Sequence, residues 1–274
     1  MPIRFDHKPG LVVYLTAGDA GKQARDLSAR EGLVATREIA LAAIDAGADV
    51  IELGVPFSDP LADGPIIQRA MERALAYRSG PIRLKDVLGL AREIRAARSA
   101  AGLVIFSYLN PILRYGLAKF ADDAAAAGAD GVLATDLIVE EAGEYLTEMS
   151  RVGLAPIFLA APTSPDARLE AIAAHSKGFV YAISRTGITG TQQSLTADAA
   201  ALVARIRRWT GLPVAVGFGI SNAEHVARLA EFADAAVIGS AIVALVECAT
   251  PQTAPDAVAR FIKGLRLPHA ALAR

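Results

Sequence analysis

Eight short segments of this chain are apolar nearly throughout and rich in β-branched residues, and each is separated from the next by a longer stretch. They are Leu11–Thr16, Val50–Gly54, Leu103–Tyr108, Gly131–Thr135, Ala155–Leu159, Phe179–Ile183, Pro213–Gly217 and Ala235–Gly239. A strand with one wet face alternates apolar and polar residues. A strand apolar on both faces has to be covered on both, as in a parallel sheet clothed in helices. The stretches between, such as Leu84–Ala100, Leu117–Ala127, Glu140–Val152, Ala197–Trp209 and Glu224–Phe232, are alanine-rich with helical spacing. This alternation predicts an α/β fold with parallel strands.

One phrase recurs where helix passes into strand. Ala46-Gly47-Ala48-Asp49-Val50 returns as Ala127-Gly128-Ala129-Asp130-Gly131-Val132, and more loosely as Phe232-Ala233-Asp234-Ala235-Ala236-Val237. A second joint reads Gly153-Leu154-Ala155-Pro156 and Gly211-Leu212-Pro213-Val214. Glycine can take the left-handed conformation that ends a helix, so a repeated joint implies a repeated βα unit. Eight units close most naturally into a parallel eight-stranded (β/α)8 TIM barrel with extra helices, a doubly wound open sheet being the rival. No linker divides the chain, so residues 1–274 read as a single barrel domain. The longest polar stretch, Ala20–Gly32, lies between the first strand and its helix, and a second irregular stretch, Pro251–Pro255, precedes a final helix ending near Leu265.

Composition narrows the function classes. The chain is 53% hydrophobic and 21% charged, which suits a large buried core, and its 28 Lys and Arg balance 29 Asp and Glu. That balance supplies no global field for nucleic acid or an acidic membrane, so an anionic substrate must be met by a local device. The first eight residues lack the apolar core of a signal peptide, and no apolar run reaches the roughly 18 residues that span a bilayer. A soluble protein of the reducing cytoplasm is expected. The one cysteine, Cys248, lies in an apolar helical context and reads as a buried structural thiol. His7, His175, His225 and His269 have no metal-ligand spacing, and His175 and His225 read as solvent-edge helix residues.

Glu52 interrupts the apolar strand Val50-Ile51-Glu52-Leu53-Gly54. Alternation turns Ile51 and Leu53 toward the helices and Glu52 into the barrel, near the strand's carboxyl end, where barrel enzymes keep their chemistry. The loop that follows, Pro56-Phe57-Ser58-Asp59-Pro60-Leu61-Ala62-Asp63-Gly64-Pro65, brings Asp59 and Asp63 over the mouth. Three glycine turns follow the sixth, seventh and eighth strands: Ser184-Arg185-Thr186-Gly187-Ile188-Thr189-Gly190, Gly217-Phe218-Gly219-Ile220-Ser221 and Gly239-Ser240-Ala241-Ile242. Glycine lets main-chain N–H groups approach an anion, a helix amino end adds a favourable dipole, and barrels place phosphate there. Neither Gly217-Phe218-Gly219 nor Gly18-Asp19-Ala20-Gly21-Lys22 completes a nucleotide fingerprint.

Together with Tyr108-Leu109-Asn110-Pro111, Asp136-Leu137 and Ala161-Pro162-Thr163, the cassette Glu52–Pro65 and these turns closely resemble the tryptophan synthase alpha subunit family, from about Leu11 to Leu265. The resemblance implies a lyase that performs the retro-aldol cleavage of indole-3-glycerol phosphate to indole and glyceraldehyde 3-phosphate in tryptophan biosynthesis. It implies Glu52, Asp63 and Tyr181 as the catalytic set. Glu52 would protonate indole C3 and handle the glycerol hydroxyl proton, while Asp63 would accept the indole N–H. Tyr181 and Thr189 would lie beside the glycerol moiety and the closing loop. Gly190, Gly219, Gly239 and Ser240 would cradle the phosphate. Tyr14, Phe106, Leu133, Ile157 and Phe218 would line the indole pocket. Asp59 would contact a beta subunit, in an alpha2beta2 heterotetramer, and this chain would bind no cofactor and no metal. Because one carboxyl must hold a proton, a raised pKa is expected for Glu52.

Two features depart from the family pattern. Only ten residues precede the first strand, which leaves the helix that usually covers the barrel's amino-terminal end shortened or missing. Against that pattern the polar stretch near 20–32, around Lys22–Gly32, looks like an insertion in the first βα loop, on the active-site side. Three other functions stay open at this point. They are another phosphosugar barrel such as an isomerase or epimerase, a stand-alone indole-releasing lyase, and a non-catalytic partner that only activates a beta chain.

Overall fold

In the computed structural model, which describes residues 3–98, 100–183, 192–217 and 219–266, seven of the eight expected strands lie within one residue of their expected ends. The strands are β1 (Gly10–Thr16), β2 (Val50–Gly54), β3 (Gly102–Ser107), β4 (Gly131–Ala134), β5 (Ala155–Ile157), β6 (Leu159–Ala160), β7 (Val180–Ile183), β8 (Val214–Gly217) and β9 (Ala235–Ile238). The helices among the described residues are α1 (Ala29–Asp45), α2 (Pro65–Leu75), α3 (Leu84–Ala97), α4 (Leu109–Tyr115), α5 (Leu117–Ala126), α6 (Gly143–Val152), α7 (Asp166–His175), α8 (Gln192–Ile206), α9 (Ala223–Leu229), α10 (Ser240–Cys248) and α11 (Ala254–Leu265).

All pairings are parallel, in the order β5-β4-β3-β2-β1-β9-β8-β7-β6. The first strand therefore sits between the second and the last. The expected fifth strand, Ala155–Leu159, is corrected: it is broken at Phe158 into β5 and β6. Its first half pairs with β4 and its second with β7, while the carbonyls of Pro156 and Phe158 accept from the N–H groups of Lys177 and Tyr181 at 2.9 and 3.1 Å. One segment bends so that its two halves serve two neighbours, and this closes the cylinder.

Period-two alternation separates two apolar layers. Val12, Tyr14, Val50, Val104, Phe106 and Leu133 point inward and pack together. Leu11, Val13, Ile51, Leu53, Leu103 and Ile105 point outward beneath the helices. At the amino-terminal end no helix covers the barrel among residues 3–9; Ile3 joins the inner layer there, and the Phe5 ring lies 5.9 Å from that of Phe179.

The recurrent joint has a physical explanation. Gly47 and Gly128 take left-handed backbones, φ 109° and 82°, that end their helices. The aspartate that follows then grips one residue of the preceding strand twice. Asp49 donates its N–H to the Leu11 carbonyl at 2.9 Å and accepts the Leu11 N–H on its carboxylate at 2.7 Å. Asp130 does the same with Leu103, at 2.8 and 2.9 Å, and Asp234 with Val214, at 3.0 and 2.8 Å. Arg266, Arg95 and Arg207 pair with these carboxylates in turn.

The polar stretch from Ala20 to Gly32 is not an irregular loop. A 3-10 turn at Gly21–Asp26 leads into α1, whose first residues belong to that stretch. Ser28 caps the helix: its Oγ accepts the Glu31 N–H at 3.3 Å, and Glu31 accepts the Ser28 N–H at 2.7 Å. Cys248 is also corrected. It is exposed, because the buried stripe of α10 runs through Ile242, Val243 and Val246, and residue 248 falls beside it. His175 is exposed as expected, and half-buried His225 accepts the Ser221 N–H at 3.4 Å. No helix among the described residues is long and apolar enough to cross a membrane.

Candidate active site

Glu52 is wholly buried in the middle of β2, opposite Tyr14 on β1 and Val104 on β3, and neither of its carboxylate oxygens has a hydrogen-bond partner among the described residues. Alternation places it among the inward residues, as its neighbours in sequence require. Taking a carboxylate out of water without compensation favours the neutral acid. Burial alone pushes the Glu52 carboxyl up to about 8. At neutral pH this side chain holds a proton.

Asp63 reaches the same space from the loop after β2 and is half-buried. The Tyr108 hydroxyl, at the end of β3, donates to its Oδ2 at 2.7 Å and accepts the Ala62 N–H at 2.9 Å. The Gln68 side-chain amide, in the first turn of α2, donates to the Asp63 carbonyl at 2.9 Å. Burial raises the Asp63 carboxyl and the Tyr108 hydrogen bond opposes the rise. The two acids therefore differ in kind. One is naked and the other is held by a phenol.

Two tyrosines stand close to both acids. Burial raises the Tyr14 hydroxyl first, the Asp63 charge next, and Glu52 contributes further; Tyr181 is raised by burial, then by Glu52 and Asp63. Both hydroxyls thus lie within the field of both carboxylates. Each lies where the neighbouring strand has glycine two residues beyond its register partner. Tyr14 pairs with Glu52, and a Cβ on Gly54 would fall 2.2 Å from its hydroxyl. Tyr181 pairs with Ala215, and a Cβ on Gly217 would fall 2.7 Å from its hydroxyl. Any larger residue at either glycine would displace the ring.

Of the expected indole pocket, Tyr14, Phe106, Leu133 and Ile157 are all buried in the inner layer, and the Tyr14 and Phe106 rings meet edge to face at 5.1 Å. Phe218 lies outside the described residues, as do Thr189, Gly190 and the rest of the Ser184–Gly190 turn. After β8, Gly219 is exposed with φ 36°. Gly239 precedes α10, whose first residue Ser240 is exposed, so the helix presents its amino end to the mouth. Among the described residues no group of His, Cys, Asp and Glu could hold a metal ion.

Asp59 is exposed near the tip of the loop after β2, and its carboxylate accepts from the Ser58 hydroxyl. Beside it Leu61 is 92% exposed, and the next two βα connections expose Leu113 (54%) and Ile138 (44%). Three consecutive connections thus show large apolar side chains to solvent. Gln68 was not singled out from the sequence, and neither the Tyr108 bond nor the ring clearances at Gly54 and Gly217 were read from the motifs that contain them. Tyr108 stood in a recognisable motif, but its bond to Asp63 joins positions 45 residues apart and exists only once β2 and β3 are adjacent.

Comparison with known proteins agrees with this geometry. The family model for the tryptophan synthase alpha chain matches residues 3–267. The tryptophan synthase alpha chain of Solibacter usitatus is 51% identical over 245 residues, covering 89% of this chain and 86% of that one. That of Geobacter sulfurreducens is 45% identical over 264 residues, covering 96% and 94%. The crystal structure of tryptophan synthase subunit alpha from Legionella pneumophila superposes with a TM-score of 0.81 at 35% identity, covering 94% of this chain and 92% of that one. A chain of the tryptophan synthase complex from Pyrococcus furiosus superposes at 0.79, also at 35% identity, covering 94% and 98%. The chain belongs to the tryptophan synthase alpha chain family.

Proposed function

We propose that Glu52 and Asp63 divide the work of the alpha reaction, the retro-aldol cleavage of indole-3-glycerol phosphate to indole and glyceraldehyde 3-phosphate that makes this chain a lyase of tryptophan biosynthesis. A carbon leaving group this poor departs only after protonation. Glu52, neutral near pH 7, gives its proton to indole C3, and the ring becomes an indoleninium cation. Asp63 accepts the ring N–H and offsets that positive charge. The glycerol C3′ hydroxyl then loses its proton to the Glu52 carboxylate as the carbon–carbon bond breaks. The bonding pair returns to the ring, and the hydroxyl carbon becomes the aldehyde. Tyr181 orders the glycerol chain between the acids and the phosphate end, and Thr189 is assigned to the same moiety.

The indole ring is assigned to the apolar wall of Tyr14, Phe106, Leu133, Ile157 and Phe218. The phosphate is assigned to the main chain at Gly190, Gly219 and Gly239, and to Ser240 at the head of α10. The beta subunit is assigned to the face around Asp59, where Leu61, Leu113 and Ile138 stand uncovered, giving an alpha2beta2 assembly. We place the enzyme in the cytoplasm, the compartment of amino-acid biosynthesis, as one barrel domain. The observation that carries the reading is the buried Glu52, unpartnered among the described residues. The test is indole release from indole-3-glycerol phosphate. Glu52→Gln is expected to lower it by about 10²–10⁴-fold; release within a few-fold of wild type would remove Glu52 from the acid's role.

A further inference from the structure

Asp63 and the proposed phosphate cradle stand at the heads of two neighbouring helices. Asp63 is followed by Gly64 and α2, and Gly239 is followed at once by α10. The two helices pack together, and near the mouth a Cβ on Gly239, just ahead of α10, would lie 3.7 Å from Ile67 Cδ1 on α2. Farther down they are joined by charge. Arg73 Nη1 donates to Glu247 Oε1 at 2.9 Å, and Arg69 forks onto both oxygens of Glu247 at 2.9 and 2.8 Å. The remaining edge of the Arg73 guanidinium forks onto Asp19, beyond β1, at 2.8 and 2.9 Å. Asp19 is almost wholly enclosed, and the Arg73 and Glu247 side chains are only 14% and 16% exposed.

Enclosing three charges is a poor way to join helices if adhesion is all that is needed, because apolar contact does it without desolvating ions. A guanidinium supplies something else. Its planar fork fixes both distance and angle to each carboxylate. We propose that Arg73 is a positioning residue that sets the separation between the Asp63 carboxylate and the main-chain amides at the head of α10, so that a substrate with indole at one end and phosphate at the other is held at both ends. This inference rests on the site reading above. At 1.5 Å per residue the head of α2 lies about 12 Å from Arg73. A pivot of about 5° there displaces Asp63 by about 1 Å, a misplacement that can reduce turnover about 10²-fold.

The test compares wild type, Arg73→Met, Arg73→Lys and Glu247→Gln. The substrates are indole-3-glycerol phosphate and its phosphate-free counterpart, and binding of indole and of inorganic phosphate is measured separately. We expect Arg73→Met to lose about 10²-fold in kcat/KM on the phosphorylated substrate. Cleavage of the phosphate-free substrate and binding of each fragment should stay within about threefold of wild type, and lysine, which cannot fork, should not rescue. Should Arg73→Met fail to fold, Glu247→Gln is expected to show the same selective loss, about tenfold, since it keeps the Asp19 fork. Equal losses on both substrates, or no loss on the phosphorylated one, would overturn the proposal. Wild-type enzyme releasing no indole would sink the site reading instead. The positioning role would then be judged by a ligand joining indole to phosphate through three carbons. Its affinity should fall tenfold or more in Arg73→Met, on the order expected of misplaced groups, while the separate fragments bind unchanged.

Discussion

Glu52→Gln should do more than slow the reaction; it should make the protein more stable, and increasingly so as pH rises. Glu52 ionises near its ordinary value of 4.5 in the unfolded chain but only at about 8 in the folded one. Below 4.5 both states hold the proton and the side chain places no pH-dependent burden on folding. As pH rises the unfolded chain is progressively favoured, by about 1.4 kcal/mol per pH unit, until the folded carboxyl also ionises. The loss amounts to about 3 kcal/mol at pH 7 and about 5 kcal/mol above the folded-state pKa. Glutamine fills the same volume and cannot ionise, so it escapes this loss, while whatever its amide lacks in partners is the same at every pH. Urea unfolding of both proteins from about pH 5 to pH 9 isolates the pH-dependent part of the difference, which should climb and then level off. A difference that stays flat across that range would refute the argument that Glu52 is held neutral by burial without a partner.

Three further outcomes are expected. Tyr108→Phe removes the phenol bond to the Asp63 carboxylate, and hydrogen bonds to charged groups contribute about 1.5–3 kcal/mol, so kcat should fall about 10–100-fold. The same change should move the acid limb of the pH–rate profile to higher pH, because that bond holds the Asp63 carboxyl down. Asp130→Ala leaves Arg95 without this carboxylate and takes the side-chain acceptor from the Leu103 N–H, which should destabilise the fold by about 3–5 kcal/mol in chemical denaturation while indole release per folded molecule is unchanged. Leu61→Asp, at an almost fully exposed position, should leave the isolated chain's indole release intact and abolish its stimulation by a beta chain, as read in a titration of one subunit with the other.

The inward aim of Glu52 was legible because its neighbours Ile51 and Leu53 can only belong to the outer layer, and a strand offers no third direction. The strand ends were legible for the same reason. The break at Phe158 was not, since it answers to closure of the whole circle rather than to any local preference. The helix start at Ser28 carried its signal openly in Ser28-Ala29-Arg30-Glu31, and the surrounding charges obscured it. Asp19 sat just ahead of that stretch with nothing to mark it as enclosed; its burial depends on Arg73, 54 residues away. Tyr108 and the clearances at Gly54 and Gly217 likewise belong to neighbouring strands. Period and joint can be read along the chain, whereas pairings across it depend on tertiary adjacency.

The aspartate grip at Leu11, Leu103 and Val214 has an architectural consequence. Strand alignment is locked at the rim remote from the chemistry, by groups that never meet substrate. The opposite rim is thereby relieved of specifying the scaffold. Its connections can be lengthened, exchanged or grafted with little penalty to assembly, so new specificities can be sampled at one end of the cylinder while the other keeps it in register.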